Sequence, residues 1–239
     1  RIKMSLLRKC IAEFIGAFAI VFAGCGAILA NQLTSGTVSH VGIALTFGFV
    51  VMVMIYATGH ISGAHFNPAV TIAFTVTRHF PKQEVVPYVI AQCLGAVSAA
   101  LLHVVTLTSV FSQKLPNTIL NLGVTQPVDN LFMTAFVWET VLTFFLMFVI
   151  MAVATDYRAV GKAAGLAIGG MVLVDAMFGG PVCGASMNPA RSFGPAMVSG
   201  NWNHFGAYVA GPILGAVLAA LVYSFIRCEK KEAQVKGCC

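Results

Sequence analysis

Apolar residues gather in six stretches, at 6–30, 40–57, 85–110, 131–154, 159–178 and 205–226. A helix needs about 20 consecutive, mainly apolar residues to cross a bilayer, and each of these stretches meets or approaches that length. Two further runs, 68–77 and 189–198, are about half as long and cannot cross alone. The pattern predicts an all-α membrane protein with six spanning helices and two short helices. The first stretch follows Arg1, Lys3, Arg8 and Lys9 and so resembles a secretory leader. It is longer than the roughly 7–15 residues of a cleavable apolar core, which makes it the first span.

The same pattern is written twice. Residues 88–101 match residues 208–221 at nine of fourteen positions, with Tyr88 opposite Tyr208 at an offset of 120. Asn67-Pro68-Ala69 returns as Asn188-Pro189-Ala190 at an offset of 121, and Glu13 returns as Glu139. The chain therefore reads as one membrane domain, 1–239, with repeats at about 5–110 and 129–227 and a tail at 228–239. Each repeat holds three spans, an odd number, so the halves insert with opposite orientation. Inverted repeats place a shared site near the bilayer midplane, where broken helices point their ends at it. Non-helical backbone at that depth is tolerated only beside a wet path, which is where the two short runs belong.

Composition agrees and charge adds an orientation. Hydrophobic residues make up 58% of the chain and charged residues 9%, against about a quarter charged in soluble domains. The net charge of +6 is no nucleic-acid signal: with the amino terminus in the cytoplasm, twelve of the fourteen Lys and Arg residues fall at cytoplasmic ends. That is the positive-inside pattern, and it puts the carboxyl terminus in the cytoplasm too. The exceptions are Lys114, in an outer loop, and Arg191, after the second short run. None of the seven cysteines has metal-binding spacing, so no metal or other cofactor is expected. Cys238 and Cys239 close a basic tail and are candidates for palmitoylation. No nucleophile or acid–base pair has usable spacing, so the chain is not expected to be an enzyme.

Asparagine is a leading helix cap, and proline suits the first helical position. Asn67 and Asn188 therefore start the two short helices, their side-chain oxygens accepting from backbone and their amide groups free to donate into a lumen. Residues 59–70 (GHISGAHFNPAV) and 184–195 (GASMNPARSFGP) resemble the two signature loops of the aquaporin, or major intrinsic protein, family. The stretches around them are most similar to the nodulin-like plant branch and its microbial relatives.

That resemblance implies a passive pore for water or small uncharged solutes, a homotetramer with one pore per protomer, and a cell-membrane location. As described for that family, the paired positive helix ends repel cations and interrupt proton transfer. It also implies a selectivity filter at Phe47, Ala176, Ala185 and Arg191. Water-selective members carry histidine where Ala176 stands, so this filter is expected to be wider and to admit glycerol, urea, ammonia or a neutral metalloid acid besides water. A strictly water-selective pore is the alternative. Ser192 replaces the aspartate of dedicated glycerol facilitators. The carbonyls of Gly63, Ala64, His65, Gly184, Ala185 and Ser186 would form an acceptor ladder, and Glu13 and Glu139 would brace the loops.

Asp175 has two readings, one pairing it with a hydroxyl or water at a neighbouring helix, the other lining the vestibule. His103 is expected to pack within its span, and His60 and His65 to belong to the first loop. A secondary transporter would need intramembrane acids for a coupling ion, for which Glu13, Glu139 and Asp175 are available. A junctional role would need longer outer loops than the roughly twenty residues at 111–130. Small-residue stripes at Gly161/Gly165/Gly169, Ala91/Gly95/Ala99 and Gly211/Gly215/Ala219 are expected to let helices approach closely.

Overall fold

The computed structural model describes residues 4–115, 121–156 and 163–227. Helices α1 (Leu6–Leu33), α2 (Ser39–Ser62), α4 (Val85–Lys114), α5 (Phe132–Thr155), α6 (Ala164–Cys183) and α8 (Ala207–Ile226) are long and apolar enough to cross a bilayer. Two short helices, α3 (Pro68–Val76) and α7 (Pro189–Ser199), complete the set, with a 3-10 turn at Lys82–Glu84 before α4. The order long–long–short–long thus occurs twice. Parity puts the start of α1 and the end of α8 at one end of the bundle, called here the near end. Gly161, and with it the predicted start of the fifth span, lies outside the described residues, as do Cys238 and Cys239.

The interior is mainly apolar, yet it also holds charged groups, and large apolar side chains cover the outside. Glu13, Glu139, Asp175, Gln92 and Arg191 are buried, while Val105, Phe145, Leu166 and Phe225 face outward. In lipid the exposed apolar surface carries no penalty, and packing of small residues draws helices together. A Cβ on Gly95 would strike the Phe14 carbonyl of α1, and one on Gly215 the Thr140 carbonyl of α5. Gly48 and Gly169 meet reciprocally, each placing its missing Cβ against the other's carbonyl, at 2.7 and 2.6 Å. These contacts fix three close pairs: α1 with α4, α5 with α8, and α2 with α6. The short helices cross over, α3 packing on α8 and α7 on α4, so each repeat is held by the other.

Prolines mark where the helices stop and start. Pro68 and Pro189 stand at first helical positions, where a missing N–H is harmless. Helices α2 and α6 both end on a left-handed glycine, Gly63 at φ 91° and Gly184 at φ 84°, a conformation glycine adopts without strain. At the near end Lys9 Nζ bridges both oxygens of Glu84, at 3.0 and 2.7 Å. At the far end His204 Nε2 lies 2.9 Å from Asn130 Oδ1, joining the two loop regions there.

Candidate pore

Between the end of each long helix and the start of its short one, the chain runs five residues through the interior. Both loops use the same alternating backbone. Gly63, Ala64 and Phe66 have φ of 91°, 52° and 53°; Gly184, Ala185 and Met187 have 84°, 38° and 53°. Alanine, phenylalanine and methionine rarely adopt positive φ, so such a backbone persists only where its surroundings over-determine it.

The two buried glutamates supply that determination. Glu13 Oε1 accepts from His65 N (3.0 Å) and the Ser62 hydroxyl (2.6 Å), and Oε2 from Phe66 N (2.6 Å) and Gln92 Nε2 (2.8 Å). Glu139 accepts from Ser186 N (2.7 Å), Met187 N (2.6 Å) and the Cys183 thiol (3.5 Å). Each carboxylate thus takes two consecutive peptide N–H groups and one side chain from the end of the preceding helix. Tyr88 and Tyr208 seal the same helix ends, donating to the carbonyls of Ser62 (2.8 Å) and Cys183 (2.6 Å). Neither Gln92 nor the tyrosines stood out as functional in the sequence, although the Tyr88/Tyr208 match in the repeat was the available signal.

The two asparagines meet where the loops turn. Asn67 Oδ1 caps α3 through Ala69 N at 2.9 Å, and Asn188 Oδ1 caps α7 through Ala190 N (3.0 Å) and Arg191 N (3.3 Å). Their amide groups cross: Asn67 Nδ2 donates to Met187 O at 2.7 Å, and Asn188 Nδ2 to Phe66 O at 2.9 Å. One hydrogen of each amide therefore ties the halves together, and the second is left to donate elsewhere. The amides expected to donate into a lumen thus each keep one hydrogen for it and give the other to the opposite loop.

A cavity of about 630 Å³ runs past this junction. Toward the near end it is lined by Tyr56, His60, Gly63, Ala64, His65 and Gly165; at the junction by Asn67 and Asn188; toward the far end by Phe47, Ala176, Ala185 and Arg191. The four predicted filter positions all line this one cavity, although they come from α2, α6, the second loop and α7. The guanidinium carbon of Arg191 stands 5.2 Å from the Phe47 ring centroid, a cation–π distance. Its NH1 donates to Gly123 O at 2.7 Å, so the charge rests on a carbonyl and an aromatic face. Gly24 leaves room for the Phe47 ring, which a Cβ there would overlap.

Several expectations need revision. Gly184 is not among the cavity-lining residues; a Cβ there would lie 3.3 Å from Thr125 and Gln126. His60 belongs to the last turn of α2 rather than to the loop. Asp175 neither lines the cavity nor has a hydrogen-bond partner among the described residues. It lies one turn before Gly179, whose missing Cβ faces Leu142, so this side of α6 looks toward α5. His103 is buried and stacks on Phe22, with Nε2 at 3.1 Å from the Phe22 carbonyl. No group of His, Cys, Asp and Glu among the described residues is arranged to hold a metal ion.

Six spanning helices, two half-helices meeting nose to nose and a cavity through their junction define a membrane channel of the inverted-repeat class. The profile of the family described as Major intrinsic protein matches residues 2–223, and the chain belongs to that family. It is 47% identical over 225 residues to aquaporin NIP1-1 of Oryza sativa subsp. japonica, covering 94% of this chain and 76% of that protein. It is 45% identical over 233 residues to nodulin-26 of Glycine max, covering 96% and 82%. Among solved structures, the aquaglyceroporin from Plasmodium falciparum superimposes with a TM-score of 0.84 at 27% identity, covering 94% of this chain and 98% of that one.

Proposed function

We propose that the chain is a passive channel for water and small uncharged solutes, with its filter formed by Phe47, Ala176, Ala185 and Arg191. The observation that carries this reading is the cavity past the two crossed asparagines, which reaches those four side chains. Relatives named as aquaporins and a structural neighbour named as an aquaglyceroporin support it. Two of the four filter side chains are alanines, which leaves space for a solute larger than water. Phe47 supplies an apolar wall for carbon-bound hydrogens, and Arg191 donates hydrogen bonds that replace those of water while its charge repels cations. The free carbonyls of Gly63, Ala64, His65, Ala185 and Ser186 offer acceptors along the path.

The amide hydrogens of Asn67 and Asn188 and the positive ends of α3 and α7 orient water at the midpoint. A water held there donates outward on both sides, which interrupts proton relay. Of the three acids available to a coupled transporter, Glu13 and Glu139 are engaged by loop N–H groups and Asp175 does not line the cavity, which favours passive flow. Among the described basic residues, Arg8, Lys9, Arg78, Lys82 and Arg227 sit at helix ends of the near side and Lys114 at the far side. This distribution supports a cytoplasmic near end carrying both termini; the family resemblance supports a location in the plasma membrane.

The test is stopped-flow light scattering of liposomes holding the purified protein. Water efflux and the entry of glycerol and urea are both expected to exceed those of empty vesicles, while a pH gradient across the same vesicles persists. In Ala176→His, solute entry is expected to drop by about tenfold, a change of about 1.4 kcal/mol at the barrier, with water flux retained. Water flux without solute entry in the unaltered protein overturns the wide filter and leaves a water-selective pore.

A further inference from the structure

We infer that Thr125, in the far-end segment between α4 and α5, is a specificity-determining positioning residue that holds the filter walls through a chain of buried hydroxyls. This rests on the channel reading above and goes beyond it, because Thr125 is not among the cavity-lining residues.

Thr125 is buried, and its Oγ1 lies 2.8 Å from Ser192 Oγ. Ser192 Oγ is 2.5 Å from Ser186 Oγ, and the Ser186 hydroxyl donates to Asn188 O at 2.9 Å. A hydroxyl has one hydrogen to give, which fixes the direction of the chain. Ser186 spends its hydrogen on Asn188 O, so it accepts from Ser192. Ser192 then has none left for Thr125, and Thr125 must donate to it. With Thr125 donating, all three links are made at once, and the first of them ties the far-end segment to α7.

The chain ends on filter groups. Ser186 follows Ala185, which is held at φ 38°. Glu139 fixes the Ser186 peptide N–H from one side, and the Ser192 hydroxyl holds the side chain from another. Two residues before Thr125, Gly123 offers the carbonyl on which Arg191 NH1 rests, while Arg191 Nε is buried without a partner. The same short segment therefore grips two successive residues of α7, Arg191 through Gly123 and Ser192 through Thr125. Val128 N, donating to Val182 O at 2.8 Å, anchors that segment to the end of α6. With the hydroxyl of Thr125 gone, the segment loses one of these two ties to α7, and Arg191 and Ala185 gain freedom together. A filter with movable walls discriminates less by size.

The experiment compares Thr125→Val, which keeps the shape and removes the donor, with Thr125→Ser, which keeps the donor, and with Ser192→Ala, which cuts the chain in the middle. The readout is the ratio of glycerol to water permeability in liposomes, because absolute fluxes scale with the number of folded channels whereas the ratio does not. Thr125→Val and Ser192→Ala are expected to raise the ratio by about fivefold, the size of one neutral hydrogen bond, and Thr125→Ser to leave it unchanged. If Thr125→Val does not fold, Ser192→Ala reports on the same chain. A ratio that stays constant or falls in the folded variants overturns the inference and leaves Thr125 a packing residue. So does a Thr125→Ser protein that behaves like the valine variant. Should the unaltered protein pass water and no glycerol, the wide-filter reading falls on its own. The inference is then decided by whether Thr125→Val or Ser192→Ala lets glycerol in.

Discussion

Glu139 receives Ser186 N and Met187 N on separate oxygens, and nothing smaller or neutral does both. A buried carboxylate in an apolar bundle is destabilising unless each lone pair meets a donor; here the donors are peptide groups that the loop itself cannot satisfy. Glu139→Gln keeps one acceptor and turns an NH₂ group toward a peptide N–H, so two donors collide and one goes unmet. The expected loss is about 3 kcal/mol, seen as a lower melting temperature and a poorer yield of monodisperse protein in detergent. Retained stability would mean that the loop is held by its neighbours and the carboxylate is dispensable. The repeat in the sequence pointed to Glu13 and Glu139 together, because an acid in an apolar run is conspicuous. Gln92 and Thr125 were invisible by the same logic. A single amide or hydroxyl in a long run is ordinary, and only the fold brings Gln92 to Glu13 and Thr125 to Ser192. Asp175 was conspicuous as well, yet its carboxylate has no hydrogen-bond partner among the described residues.

Helix identity was legible in the residues, and helix ends were legible where a special residue marks them. Pro68 and Pro189 set the starts of α3 and α7 to the residue, because proline and asparagine leave few alternatives. The apolar run marks α2 only to 57, five residues short; the helix continues to Ser62 because Thr58 bonds back to Met54 O, His60 lines the cavity and the Ser62 hydroxyl donates to Glu13. Which helices touch was only hinted at by the small-residue stripes. Gly95 shows how tight the approach is, since its missing Cβ would meet Phe14 and Phe18 backbone. Gly95→Ala is therefore expected to destabilise by about 1–3 kcal/mol through overpacking, despite alanine's better helix propensity. Gly170, with open space around it, is the control: Gly170→Ala is expected to be neutral or slightly stabilising in the same thermal melt. Equal shifts for both variants would mean that α1 and α4 can part without loss.

For the molecule as a whole, the two repeats are interlocked by α3 on α8 and α7 on α4, so neither is a separable unit. The outer faces of α1, α2, α5 and α6 carry Ile15, Phe49, Val141 and Val174, a surface that suits lipid or a second copy of the chain. We propose, with the family, a homotetramer holding one pore in each protomer. Native mass spectrometry from mild detergent is expected to give four chains, and a monomer in conditions that preserve water flux would refute it.

The exchange between Asn67 and Asn188 bears on how the chain is made. A ribosome delivers the first repeat while the second is still unwritten. Until residues 184–190 arrive, the Phe66 carbonyl lacks the amide of Asn188, and the amide of Asn67 lacks the Met187 carbonyl. The first loop is thus left with an unfinished circuit in the middle of the bilayer. The second loop completes it, because only that loop carries the Met187 carbonyl and the Asn188 amide. A chain cut short after its first three spans therefore lacks both partners of this exchange.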